Sequence, residues 1–342
     1  MNKQPIRVNI VSESDISVQG HGVHTAYVEM AMALEKRSDI EVIRGDFGHA
    51  TQCEIVHLHT IGPRTWRKLM QKGPKKVVSA HIVPASLVGS IRSATYWLPL
   101  ARRYMRWFYR RADKVLAVSG TVANVLVDEL KLPAHKVETI YNTIDMSRYA
   151  HSAQERIAAR QALDINAKAF VVLGNGQVQP RKRLDTFVAM ATCLPEVTFI
   201  WVGGIPFGKL GANYGDMQHL MANLPENMTI TGVIDHAQVS RYLAAADVFC
   251  LPAEQENHPM CVLEAAGSGL PIIVRDIPEY DDTFGNDVIR CKTDEEFVRA
   301  VRVLRDDPAA ITRQCERTAR VAARFDSTAM TDRLVGLYQS LL

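Results

Sequence analysis

Glu256 and Glu264 stand with seven residues between them in the stretch 251–276, LPAEQENHPMCVLEAAGSGLPIIVRD. An apolar run over 247–251 precedes them and reads as a buried parallel strand. A polar loop over 254–258 follows. Pro259 suits the first position of a helix, where a missing N–H costs nothing. The helix runs over 260–266, is ended by Gly267, Gly269 and Pro271, and gives way to a strand at 272–274. Its first-turn N–H groups, from Met260 and Cys261 onward, lack backbone partners, and the positive end of its dipole faces the loop. That arrangement favours an anion, most simply a phosphate. Glu264, about one and a half turns into the helix, is placed to accept hydrogen bonds from a ribose diol. Glu256 lies beyond the phosphate, where a sugar could sit. Spacing alone leaves open that both are ordinary solvated glutamates.

A second stretch suggests related chemistry. A strand at 170–173 runs into 174–185, GNGQVQPRKRLD, a glycine turn and a basic cluster opening a helix. Arg181 and Lys182 are placed to neutralise a diphosphate; a solvated basic helix start is the plainer alternative. The strand at 198–202 ends in Gly203 and Gly204, a tight turn beside a ligand. In the first half, 19–24 (QGHGVH) follows a strand at 7–11 and leads into a helix over 23–36. Gly20 and Gly22 let backbone approach a ligand at the carboxyl edge of a sheet. A dinucleotide fingerprint is the rival, but Gly20 lies well past the strand and the third glycine is absent. His57 and His59 alternate on one face of a strand at 54–59 and read as sheet residues, since no third metal ligand is evident.

The elements that must position these residues alternate strand and helix throughout, the mark of doubly wound parallel sheets. Further strands are expected at 76–78, 114–118, 136–141 and 227–231. Further helices are expected at 121–130, 238–245, 294–305, 308–324 and 327–342. Residues 142–168 read as the connection between two domains, the number that 342 residues suggest. The six cysteines are scattered without a C-x-x-C and read as reduced thiols of a cytosolic protein. No apolar run reaches membrane-spanning length, and the first fourteen residues hold too short an apolar run for a signal peptide.

The net charge of +3 hides an asymmetry: residues 1–150 hold 21 Lys+Arg against 13 Asp+Glu, and the remainder 19 against 24. Residues 60–111 contain twelve basic residues and no acidic one. Within them, 100–111 reads LARRYMRWFYRR. At helical spacing Leu100, Tyr104, Trp107 and Phe108 share one side, and Arg103, Arg106 and Arg110 another. Such a helix suits an anionic membrane surface, with 63–76 and Trp66 adding cationic surface; the plainer alternative is that the aromatic side packs on the sheet and the arginines are merely solvated. A nucleic-acid-binding module would also use such a stretch, but leaves the phosphate-type loops of the second half unexplained.

The E-x7-E spacing, the loop 174–185 and the turn 142–145 (NTID) together resemble retaining glycosyltransferases of family 4. The resemblance covers nearly the whole chain and is strongest over 174–276. It implies a GT-B fold: two Rossmann-like, doubly wound α/β domains facing a central cleft. Residues 1–145 would be the acceptor- and membrane-binding domain, 146–326 the nucleotide-sugar domain, and 327–342 a helix crossing back. Lys182 matches the family's phosphate-binding lysine, Gln177 stands in the usual arginine place, and Arg183 replaces a glycine. His258-Pro259-Met260 replaces Gly-Phe-Gly in the motif. Gly232 lies where the base is held, Gly204 near the donor, and His81 where family members touch the donor sugar or the acceptor; a hydrogen-bonded structural histidine is the plainer alternative for His81. The catalytic residues implied are Glu256 and His81. Gln177-Val-Gln, Trp201-Val-Gly-Gly and Arg275-Asp276 are similar to the Gram-positive enzymes that add a second sugar to a glycosyl-diacylglycerol. The implied reaction moves a hexose from a nucleotide sugar, UDP-glucose or UDP-galactose, to a membrane glycolipid with retention, at the inner face of the cell membrane. The alternative acceptor is a capsule, exopolysaccharide or cell-wall polysaccharide. No cofactor is implied, and the absence of D-x-D leaves protein cations in the role of a metal.

Overall fold

The computed structural model describes residues 4–15, 22–48, 52–88, 90, 93–205 and 212–342. The chain divides into two compact units. The first comprises Met1–Leu87, Ala94–Asp145 and Phe325–Leu342, and the second Val88–Ser93 and Met146–Arg324.

The first unit is built on six parallel strands: β1 (Ile6–Val11), β2 (Ile40–Arg44), β3 (Ile55–Leu58), β4 (Lys75–Ala80), β5 (Lys114–Ala117) and β6 (Val137–Thr139). Their order is β2-β1-β3-β4-β5-β6. Most residues of β1, β3, β4 and β5 are buried, and Val8, Ile10, Ile55, Val77 and Leu116 among them supply the apolar interior expected of inner parallel strands. One face carries the helix Gly22–Glu35 and the C-terminal helix Ser327–Leu341 through Tyr27, Leu34, Leu334 and Tyr338. Met105, Phe108, Val122 and Leu126 cover the other.

The helix Ala94–Arg110 corrects the sequence expectation of its sides. Phe108 is fully buried among Leu58, Val78 and Val115, a burial of about 1.5–3 kcal/mol. The core-facing stripe is Ala101, Met105, Phe108 and Tyr109. Leu100 (72% exposed) and Tyr96 (89%) lie instead on the outward side. At 100° per residue that side also carries Arg103 and Arg110. Lys68 and Lys76 are likewise buried rather than part of a cationic surface. Their ammonium groups donate to the carbonyls of Gly48 and Pro74 respectively.

The second unit holds β7 (Val171–Asn175), β8 (Thr198–Val202), β9 (Met228–Ile230), β10 (Val248–Leu251), β11 (Ile272–Arg275) and β12 (Ile289–Cys291), all parallel. The order is β12-β11-β10-β7-β8-β9. It runs outward from β7 through β8 and β9, then resumes on the other side of β7 with β10. In an open parallel sheet, the loops at the carboxyl ends of two such strands diverge and leave a crevice. Those loops are Gly176–Lys182 after β7 and Pro252–Pro259 after β10.

Residues 142–168 are more than a connection. They contain the helix Ala153–Ala162, opened by a reciprocal capping box between Ser152 and Glu155. Arg156 and Arg160 on this helix reach the two carboxylate oxygens of Asp247 at 2.5 and 2.7 Å. Asp247 in turn accepts from the Val171 amide at 2.7 Å. This network ties the helix to the start of β7, within the second unit.

Candidate active site

The helix Met260–Gly267 begins beyond β10, with Pro259 as its N-cap at φ −73°, ψ 120°. Pro259 therefore sits one residue earlier than expected, outside the helical turns. Met260 is buried, so what it can offer a ligand is its backbone N–H, beside that of Cys261. Desolvation pushes the Cys261 thiol up to about 12, so it stays protonated near pH 7. His258 is buried, its ring stacked on Phe284 at 5.6 Å, and Phe284 packs on Tyr280 at 5.1 Å. An aromatic stack thus holds the loop where the resemblance places glycine and phenylalanine.

The loop after β7 brings its cations to the same place. Pro180–Lys182 forms a 3-10 turn, and Arg183 adopts a left-handed conformation at φ 53°, ψ 50° before the helix Leu184–Cys193. The glycine that Arg183 replaces would occupy that conformation without a Cβ penalty. Arg183 is held there by ion pairs with Asp185 and Glu254. The preceding Lys182 is buried, and its ammonium contacts Glu256 Oε1. Arg181 Nη1 donates to the Gln255 carbonyl at 2.8 Å and lies 3.4 Å from the same Glu256 oxygen. One carboxylate therefore gathers both cations, and Glu256 is itself only 7% exposed. Buried charges are tolerated only when paired in this way.

Backbone closeness shapes the remaining wall. Gly203 has φ +132°, and a Cβ there would fall 2.1 Å from the Gly176 carbonyl oxygen. Only glycine is accommodated. Trp201 Nε1 donates to that same carbonyl at 2.9 Å. The Gly204 carbonyl accepts from the Val178 amide at 2.9 Å, and Gly203 bridges to Gly232. Gln177 accepts from Gln179 at 2.9 Å.

Glu264 lies within the helix Met260–Gly267 and is 2% exposed. Its Oε1 is 2.8 Å from His236 Nε2, and its Oε2 is 3.5 Å from Asn175 Nδ2. Neither His236 nor Asn175 carries a signal in the sequence: their link to Glu264 joins three separate elements. The same holds for Ser90, a member of the second unit, whose hydroxyl accepts from Arg181 Nε at 2.8 Å.

In the first unit the described residues begin their first long helix at Gly22; Gly20 lies outside the described residues. His81 follows β4 and is buried. Its Nε2 is 3.0 Å from Nδ1 of His59, with the two rings stacked at 5.1 Å. His57 lies between Tyr338 Oη at 2.6 Å and Ser79 Oγ at 2.8 Å, and burial lowers it to about 3. His57 is thus neutral near pH 7, and its two nitrogens are spent on structure.

Two Rossmann-like α/β units, the second with paired cations and a helix start converging beside its strand switch, define the GT-B class of sugar transferases. Glycosyltransferase Family 4 matches residues 21–148, and Glycosyl transferases group 1 matches residues 155–322. Alpha-galactosylglucosyldiacylglycerol synthase of Streptococcus pneumoniae is 30% identical over 328 residues, covering 95% of this chain and 87% of the relative. Processive diacylglycerol alpha-glucosyltransferase of Acholeplasma laidlawii is 25% identical, covering 88% and 89%. In fold, the chain is similar to Anabaena Alr3699/HepE in complex with UDP and glucose (TM-score 0.79, 17% identity, 98% of this chain and 100% of that one). The chain belongs to glycosyltransferase family 4, and it has the GT-B fold.

Proposed function

We propose that this glycosyltransferase moves a hexose from UDP-glucose or UDP-galactose to a glycosyl-diacylglycerol, with retention and without a metal ion. The observation that carries this reading is the convergence of Lys182, Arg181 and the helix start at Met260 around Glu256, with Glu264 buried behind them. Fixed cations and helix amides can stabilise the diphosphate as it leaves, the role a metal has elsewhere. Glu264 holds the ribose diol, and the turn at Gly232 lies beside the base. Glu256 orients the transferred sugar by its hydroxyls, and His81 touches the sugar or the acceptor. The names of the Streptococcus pneumoniae relative, a galactosylglucosyldiacylglycerol synthase, and of the Acholeplasma laidlawii relative, a diacylglycerol glucosyltransferase, support a lipid acceptor.

A lipid acceptor asks for a membrane contact. No helix among the described residues is long and apolar enough to cross a membrane. The helix Ala94–Arg110 instead exposes Tyr96 and Leu100 among its arginines. Each such charge near an anionic surface contributes about 1 kcal/mol, so the enzyme works peripherally, on the inner leaflet. The test is transfer from each UDP-hexose to glucosyl-diacylglycerol in phosphatidylglycerol vesicles, in EDTA, with the product read by mass spectrometry. A dihexosyl-diacylglycerol is expected. Arg103, Arg106 and Arg110 changed together to Glu should abolish sedimentation with these vesicles. Activity only on soluble saccharides, or only with Mg²⁺ or Mn²⁺ restored, would overturn the reading.

A further inference from the structure

We propose that His236 is the residue that positions Glu264, and that it thereby sets discrimination between ribonucleotide and deoxyribonucleotide donors. The proposal rests on the ribose reading of Glu264.

Glu264 is a carboxylate with a side chain only 3% exposed, so its charge must be met by protein donors. The donor at full hydrogen-bonding distance is His236 Nε2, 2.8 Å from Oε1. Asn175 Nδ2 stands at the outer limit, 3.5 Å from Oε2. An ionised carboxylate only accepts, so Nε2 of His236 carries the proton in this contact. His236 is itself fixed: it is the first residue of the helix His236–Ala245, whose N-cap Asp235 accepts from the Ala237 amide at 2.9 Å. Its side chain is 30% exposed, so the ring spans from the buried carboxylate to the rim of the site.

The consequence lies in the lone pairs. A carboxylate offers about four acceptor positions. His236 and Asn175 occupy one on each oxygen, which leaves one on each for the two hydroxyls of a vicinal diol. The terminal torsion of a glutamate is soft and broadly two-fold, so without His236 the carboxylate plane turns and the paired geometry is lost. A site built to hydrogen-bond a hydroxyl rejects the analogue lacking it, because its own buried group is then left unpaired. His236 contributes to that rejection without touching the substrate hydroxyls.

The test compares binding of UDP and 2′-deoxy-UDP by calorimetry in the wild type, Glu264→Ala, His236→Phe, His236→Ala and His236→Gln. The wild type should prefer UDP by about tenfold or more, as expected for a lost charge-assisted hydrogen bond. Glu264→Ala, His236→Phe and His236→Ala should bring the ratio to within about threefold of one. His236→Gln, which keeps a donor, should restore the wild-type ratio. In turnover, both His236 loss variants should raise the donor KM and leave kcat at saturating donor unchanged. A wild-type ratio near one overturns the ribose reading of Glu264 and this proposal with it. A ratio abolished by Glu264→Ala but kept in either folded His236 loss variant overturns the proposal alone.

Discussion

Glu256→Gln should tighten UDP binding while it slows transfer. In the structure the Glu256 carboxylate sits on the Lys182 ammonium and 3.4 Å from Arg181 Nη1. An incoming diphosphate must share or displace that carboxylate to reach both cations. Two anions on opposite sides of one ammonium lie about 6 Å apart, a repulsion of about 3 kcal/mol per charge pair at an effective dielectric of about 20. Reorganisation and water in the site reduce this, and a net gain of about 1–2 kcal/mol is expected, or about 5–30-fold in affinity. Glutamine keeps the shape and removes the charge. The same change leaves a buried Lys182 uncompensated in the free enzyme, which costs about 3 kcal/mol. UDP should therefore raise the melting temperature of the variant by more than it raises that of the wild type. The assay is calorimetric titration with UDP at low and high salt, beside kcat for transfer. Tighter UDP binding with lower kcat is expected. UDP affinity unchanged or weakened in a folded variant would refute the idea that Glu256 is the resting counter-ion of the phosphate cations.

Three further outcomes follow from the geometry. Glu264→Ala should raise the donor KM by the equivalent of about 1.5–3 kcal/mol, the value of a hydrogen bond to a charged group; unchanged KM contradicts its role at the ribose. Because Arg183 is left-handed at φ 53°, Arg183→Gly should be more stable in thermal denaturation than Arg183→Ala by about 1 kcal/mol, and equal melting would place the strain elsewhere. His57 is lowered to about 3 by burial, so below its ordinary value of 6.5 the unfolded chain takes up a proton that the folded chain refuses. Stability is then full above about pH 6.5 and falls as pH drops toward 3, by about 2 kcal/mol at pH 5. Urea midpoints at pH 7.5 and 5.0 should converge in His57→Gln relative to wild type, and an identical pH dependence would contradict it.

Much of the fold was legible because its signals are local. Buried parallel strands such as Val248–Leu251 and Ile272–Arg275 announce themselves as apolar runs, and glycine and proline mark where they turn. The edge strands Ile40–Arg44 and Ile289–Cys291 do not, since half-exposed edges mix polar and apolar residues. The helix Ala94–Arg110 shows how periodicity can mislead: the apolar side is wide enough that phase alone did not distinguish Phe108, in the core, from Leu100, in solvent. The convergence of Lys182 and Glu256, 74 residues apart, could be expected from motif types but not as a direct ion pair. His236 was invisible because its contact with Glu264, 28 residues away, obeys no spacing rule. Long-range side-chain partners are a property of the packed sheet, and a single sequence records them only as residue types.

The most direct test of the account is a crystal structure of the enzyme with UDP bound. The diphosphate should lie against Lys182, Arg181 and the amides of Met260 and Cys261, with Lys182 drawn from Glu256 toward phosphate and the ribose hydroxyls on Glu264. A diphosphate bound away from Lys182, or a ribose that makes no contact with Glu264, would contradict it.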